Sequence, residues 1–175
     1  MKSLFLLRHA KSDRSAAHAG DHERPLNRRG RSAARRIGVY LARIRQAPEL
    51  ILSSSAVRAR TTAELAAEAG GWSCPLRDSR ALYLDSADAV LGQIVEQDDR
   101  LERLLVVGHE PTWSELASRL IGGGRIEVPT AALLRIDFEA KRWSDVGFGE
   151  GGLVWLVTPR LLARLELDRK DDERG

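Results

Sequence analysis

The sequence predicts an α/β protein, a three-layer α/β/α sandwich around a mostly parallel mixed sheet. Three observations lead there. Short apolar runs at Leu4-Phe5-Leu6-Leu7, Leu50-Ile51-Leu52 and Leu104-Leu105-Val106-Val107 read as strands buried on both faces. Between and after them come stretches with helical period, and alternating strand and helix is the mark of a parallel sheet covered by helices. No internal repeat or linker interrupts the 175 residues, which suit one domain burying roughly 70% of the surface of its unfolded chain. That domain is expected over residues 1–167, with 168–175 a charged, frayed tail.

The first strand leaves the core at Arg8-His9. In open α/β sheets ligands bind outside the carboxyl ends of the strands, so both side chains are candidates for a site; the plainer alternative is a capped strand end. Residues 11–25 show no apolar period and read as a loop, long enough to suggest function. Asn27 reads as a helix N-cap. Ile37, Tyr40, Leu41 and Ile44 give the helix its buried stripe, and Pro48 closes the segment. The arginines between Arg28 and Arg45 fall mostly on the other faces. They read as a solvated surface, with docking of an acidic partner as the alternative.

After the second strand, Ser54 or Ser55 is placed to cap a helix over about 56–69, stopped by Gly70-Gly71. Leu82 and Tyr83 read as a short strand or extended loop, and Ser86 as the cap of a helix carrying Val90, Leu91, Ile94 and Val95. The third buried strand ends in Gly108-His109-Glu110-Pro111 and leads into a helix through Leu116, Leu120 and Ile121. Strands near 132–138 and 153–158 and a short helix over 159–167 complete the chain. Trp155 and Trp113 are read as packing residues rather than a recognition surface.

Composition excludes several classes. Apolar content of 43% and charged content of 30% are those of an ordinary globular chain. No secretory, transmembrane or lipidation segment is visible, so a cytoplasmic location and no membrane partner are expected. Cys74 is the single cysteine and can form no internal disulfide. The net charge of +3 is modest, and no aromatics alternate with the arginines, so nucleic acid is not expected as a partner. A monomer is the default.

The chemistry collects at three strand ends. If the three runs lie parallel and adjacent, Arg8, His9, Arg58 and His109 converge on one rim. Their mutual repulsion, on the order of a few kcal/mol at an effective dielectric near 20, is tolerable when a dianion sits between them. A phosphoryl group is the natural occupant. The helix after the second strand would point its positive end at the same place, and Gly108 would let the backbone approach closely before His109. Neighbouring guanidiniums disfavour protonated imidazole, so His9 is expected to be neutral, with its second nitrogen donating to a backbone carbonyl. In-line attack would then give a phosphohistidine intermediate that water hydrolyses. His109 would stabilise equatorial oxygens or give a proton. The arginines would stabilise charge, so neither a metal nor a cofactor is expected.

Two stretches, Leu7-Arg8-His9-Ala10-Lys11-Ser12 and Arg24-Pro25-Leu26-Asn27-Arg28-Arg29-Gly30, resemble the opening of histidine phosphatase superfamily members, the phosphoglycerate mutase-like group. Ser54-Ser55-Ala56-Val57-Arg58-Ala59-Arg60-Thr61-Thr62-Ala63 is similar to that family's second-arginine motif. Val106-Val107-Gly108-His109-Glu110-Pro111 is similar to its second-histidine motif. The blocks come in family order and look most like the SixA-type phosphohistidine phosphatases. The resemblance implies a phosphoglycerate mutase-like fold, His9 as nucleophile and a phosphate pocket of Arg8, Arg58 and His109. Arg24 is a further candidate contact, and Asn27 and Ser55 are assigned to substrate binding beside it. The implied partner is a phosphohistidine protein or a small phosphorylated metabolite.

Ala10 stands where glycine is common in the family. A later carboxylate acid is matched best by Asp85, for which a plain helix-entry residue is an equal reading. Absence of such an acid would favour a substrate with an easily departing group, such as phosphohistidine. Three alternatives remain. One is a broad phosphomonoesterase of the same superfamily, and another a phosphate-recognition module without turnover. The third is a metal site built on His18 and His22 with Asp21 and Glu23, where a solvated loop is the simpler reading.

Overall fold

The computed structural model describes residues 1–15, 19–83 and 86–172. Six strands form one sheet in the order β3-β2-β4-β1-β5-β6. They are β1 (Lys2–Arg8), β2 (Leu50–Ser54), β3 (Leu76–Ser79), β4 (Arg103–Gly108), β5 (Leu133–Phe138) and β6 (Gly151–Val157). The helices are α1 (Arg28–Arg43), α2 (Val57–Gly70), α3 (Ala87–Val95), α4 (Thr112–Leu120) and α5 (Pro159–Asp172).

The three apolar runs pair side by side and parallel, β1 with β4 and β4 with β2. Only β5 runs against its neighbours, pairing antiparallel with both β1 and β6. The sheet is therefore mostly parallel and mixed, as the sequence predicts.

Each central strand alternates its side chains between two cores, as the period of two requires. Leu4 and Leu6 of β1 join Leu104 and Val106 of β4 in a core shared with Val90 and Ile94 of α3 and Trp113, Leu116 and Leu120 of α4. Phe5 and Leu7 join Leu105 and Val107 in a second core with Ile37 and Leu41 of α1, Ala59 and Ala63 of α2, and Leu162 of α5. Helices thus cover both faces, giving the three layers. Asn27 caps α1, its side chain accepting from Gly30 N–H at 2.9 Å, and Ser86 caps α3.

The differences from expectation lie at the edges. The strand sought near Leu82 and Tyr83 is β3, further back. Its sequence, Leu-Arg-Asp-Ser, has one apolar residue because an edge strand buries little. Leu82 instead lies in a short 3₁₀ turn (Arg80–Leu82) and packs into the first core. Strand β6, the other edge, begins at Gly151, ahead of the apolar residues that mark it. Helix α5 continues past Leu167 to Asp172, so the segment expected to fray starts as helix. No glycine or proline interrupts 160–172, and its Leu, Arg, Glu and Lys residues favour helix. No helix is long and apolar enough to cross a membrane among the described residues.

Candidate active site

The carboxyl ends of β1, β2 and β4 adjoin, and there the sequence-predicted residues meet. His9 follows β1, with its N–H bonded to Gly108 O at 2.9 Å. Arg58 stands in the first turn of α2 after β2, and His109 follows β4. Arg8, His9, Arg58 and His109 line one pocket of about 240 Å³ together with Arg24. His9, Arg58 and His109 are buried, each under a tenth exposed. The rings of His9 and His109 lie 5.0 Å apart between centroids.

His9 is fixed from behind. Its Nδ1 lies 2.8 Å from Ala10 O, so Nδ1 carries the proton and donates. Nε2 then holds a lone pair toward the pocket, where Arg58 Nε donates to it at 3.3 Å. Thr62 secures the loop: its hydroxyl accepts from Ala10 N–H at 3.0 Å and donates to Arg58 O at 2.6 Å. Burial pushes the His9 pKa down from 6.5 to about 4; the Ala10 carbonyl opposes this, and Arg58, Arg8 and Arg24 add to it. Neutrality was expected from the guanidiniums alone. They contribute, but removal from water is the larger cause.

His109 is neutral for similar reasons. Burial, then the neighbouring His9 and Arg58, take it down to about 3, against Asp21, which raises it. Its Nε2 lies 2.8 Å from Ser54 Oγ. That hydroxyl also accepts from Ala56 N–H at 3.3 Å and can give its own proton to Nε2, the direction on which the Nδ1–H tautomer depends. In that tautomer the ring proton sits on Nδ1, which is buried without a partner among the described residues and can donate to an oxygen placed beside it.

The cations are held by backbone and by one carboxylate. Arg8 Nη1 donates to Val128 O at 2.8 Å, while its Nε is buried and unpartnered. Arg58 donates from Nη1 to Asp21 O at 2.6 Å and from Nη2 to Asp21 Oδ2 at 2.9 Å. Arg24 Nη2 reaches Asp21 Oδ1 at 2.7 Å, and Tyr83 donates its hydroxyl to Oδ2 at 3.0 Å. Burial alone would raise the Asp21 pKa, but Tyr83, Arg58 and Arg24 together hold it below the usual 3.8. Asp21 is thus an anion on the guanidiniums that a phosphoryl group would use.

Several expectations need correction. Neither Ser54 nor Ser55 caps α2; Ala56 occupies that position with no side-chain bond. Ser54 turns to His109, and Ser55 Oγ lies 2.9 Å from His22 Nε2. Ser55 and Asn27 are both outside the pocket lining, Asn27 because its amide oxygen caps α1. Gly108 makes room for Trp113 rather than for a ligand: a Cβ there would lie 2.1 Å from the indole. His22 bonds Glu23 at 2.8 Å as well as Ser55. His18 and Asp85 lie outside the described residues. The sequence reading missed Thr62 and Glu110, and considered Asp21 only as a metal ligand beside His18 and His22, whereas it sits on Arg58 and Arg24. Thr62 is four residues from Arg58 and so shares its helix face, a signal that was available. Glu110 lines the pocket with a buried, unpartnered Oε1.

The α/β/α sandwich gathers two neutral histidines and three arginines in one pocket, and comparison with known proteins gives its class, that of the histidine phosphatases. The family model of the histidine phosphatase superfamily (branch 1) matches residues 4–83. An uncharacterized protein of Mycobacterium tuberculosis is 37% identical over 166 residues, 88% of this chain and all of that protein. One from the chloroplast of Arabidopsis thaliana is 31% identical over 174 residues, 90% of this chain and 78% of the other. A candidate phosphohistidine phosphatase SixA from Agrobacterium tumefaciens superposes with a TM-score of 0.75 at 27% identity, covering 90% of this chain and 98% of that one. The protein histidine phosphatase SixA complexed with tungstate has the same fold, with a TM-score of 0.80 at 21% identity over 91% of this chain and 99% of the other. The chain belongs to the histidine phosphatase superfamily.

Proposed function

We infer that the protein is a phosphohistidine phosphatase working through a covalent intermediate on His9, with a phosphorylated protein as substrate. The observation that carries this is the buried His9 ring, neutral, with Nδ1–H on Ala10 O and Nε2 turned into a pocket of guanidiniums. The incoming phosphoryl group displaces the Asp21 carboxylate from Arg58 and Arg24. Nε2 attacks phosphorus in line; the Nε2–P bond forms as the substrate's N–P bond breaks, and the departing imidazole takes a proton from water. Arg8, Arg58 and the Nδ1–H of His109 hold the equatorial oxygens, so charge is stabilised by fixed donors and no metal is invoked. Water then attacks phosphorus from the side the leaving group vacated. The P–Nε2 bond breaks, inorganic phosphate departs and His9 is restored.

Pocket size favours a large substrate. At about 240 Å³ it is smaller than the roughly 300–1,000 Å³ of sites that enclose a whole small ligand. A phosphoryl group and one ring fit; the body of the substrate stays outside.

The test is rapid mixing with a radiolabelled phosphohistidine donor and a denaturing quench at alkaline pH, where phosphohistidine survives. Label is expected on the wild-type chain and absent from His9→Ala. Turnover of phosphohistidine by His9→Ala at the wild-type rate would refute the assignment. Turnover of p-nitrophenyl phosphate but not of phosphohistidine would make the protein a phosphomonoesterase instead.

A further inference from the structure

We propose that the arginine-lined groove between α1 and α5 is a docking surface for an acidic face of the protein substrate. The proposal rests on the phosphohistidine reading above and names the chemistry of the partner. The groove, about 680 Å³, is lined by Arg28, Arg29, Ser32 and Arg36 of α1 and by Pro159 and Arg160 of α5, with two alanines and no acidic residue. Arg28, Arg29 and Arg160 are exposed and form no ion pair among the described residues.

Their placement opposes the helices that carry them. Arg28 and Arg29 are the first two residues of α1 and Arg160 the second of α5; neither helix has an acidic residue in its first turn. A cation there meets the positive end of the macrodipole, where aspartate or glutamate is favoured. Two positive helix ends and at least three guanidiniums thus face one groove whose lining, among the described residues, holds no acidic side chain. Surface arginines serving only solubility have no reason to collect where the helices disfavour them. An anionic partner satisfies both the side chains and the helix ends.

The sheet fixes how near this groove lies to the nucleophile. Leu7 pairs with Leu133, and Leu133 pairs with Val157. His9 lies two residues beyond Leu7 and Pro159 two residues beyond Val157, so both stand at one level of the sheet. Two strand spacings separate them, roughly 10 Å. Lys11, which lines the catalytic pocket, has its carbonyl on Asn27 N–H at 3.0 Å, so the start of α1 is tied to the pocket rim. A protein seated with its phosphohistidine in the pocket, using a contact of about 800 Å², must cover the groove. Charge complementarity makes the covering face acidic.

The probes are two synthetic phosphohistidine peptides, identical but for glutamate or lysine three to six residues from the phosphohistidine, and free phosphohistidine. Phosphate release is followed for wild type, the triple variant R28E/R29E/R160E and the conservative R28K/R29K/R160K. Wild type is expected to prefer the glutamate peptide about tenfold in kcat/KM at low ionic strength, through KM, and to lose the preference in high salt. The glutamate variant should lose or reverse the preference while hydrolysing free phosphohistidine at the wild-type rate, and the lysine variant should keep it. Acidic residues in the first turn should also raise the Tm of the glutamate variant, which separates lost docking from lost fold. Absence of any preference in wild type, or its persistence in the glutamate variant, overturns the docking surface while the phosphohistidine reading stands. Competition by poly-U without a peptide preference would assign the groove to nucleic acid and overturn it too. Failure of wild type on all three phosphohistidine probes would remove that reading, and the groove's role with it.

Discussion

Acidification from pH 7 to pH 5 should destabilise the protein through the two histidines of its candidate active site. In the unfolded chain each titrates near 6.5, whereas the folded chain holds His9 down to about 4 and His109 to about 3. Between those values the unfolded state binds protons that the folded state refuses. Stability therefore rises with pH through the window, is fully present above 6.5 and drains away as pH falls. Linkage gives a loss of ~2 kcal/mol for His9 between pH 7 and pH 5 and ~2 kcal/mol for His109. Because His9 itself helps to depress His109, the joint loss is placed at roughly 3–4 kcal/mol, a large share of the roughly 5–15 kcal/mol that holds a domain together. Asp21, held below its usual 3.8, acts in the same direction but only in more acid solution. Urea denaturation at pH 7, 6 and 5 measures the slope, with the double variant H9Q/H109Q expected to be much flatter. A wild-type stability that does not change over this range, or a double variant that falls as steeply, would refute the reasoning. With His9 as the proposed nucleophile, the same depression places the acid limb of kcat/KM near pH 4 rather than 6.5, because an imidazole attacks only when neutral.

Asp21→Asn removes the carboxylate seated on Arg24 and Arg58, so tungstate or inorganic phosphate should inhibit several-fold more tightly; unchanged inhibition constants would show that the carboxylate does not compete. Gly30→Ala places a Cβ 2.1 Å from the Lys11 carbonyl, backbone that cannot turn aside. A loss of about 1–3 kcal/mol by denaturation is expected, with activity falling as the His9 loop is pushed away; wild-type stability would contradict the close packing.

What was legible in the sequence was whatever local pattern controls. The runs at Leu4-Phe5-Leu6-Leu7 and Leu104-Leu105-Val106-Val107 declare buried strands because nothing polar interrupts them, and Asn27 and Ser86 declare helix starts. The meeting of Arg8, His9, Arg58 and His109 followed from strand adjacency, which parallel topology makes a short list of possibilities. Residues recruited by tertiary contact were not legible. Asp21 sits in a loop with no period, and only the fold carries it onto Arg58. Ser54 and Ser55 look alike in a serine triplet, yet the strand's alternation turns one to His109 and leaves the other to His22. Strand β3 was obscured because an edge needs few apolar residues to hold its place.

The single hydroxyl of Thr62 has a consequence for how the enzyme fails. Ala10, beside the His9 ring, and Arg58, whose Nε donates to that ring, are fastened to the same atom, so a drift of α2 carries both partners along in step. Thermal breathing elsewhere can loosen the molecule without lengthening the distance over which the reaction happens. Inactivation on heating should accordingly keep company with melting rather than run ahead of it.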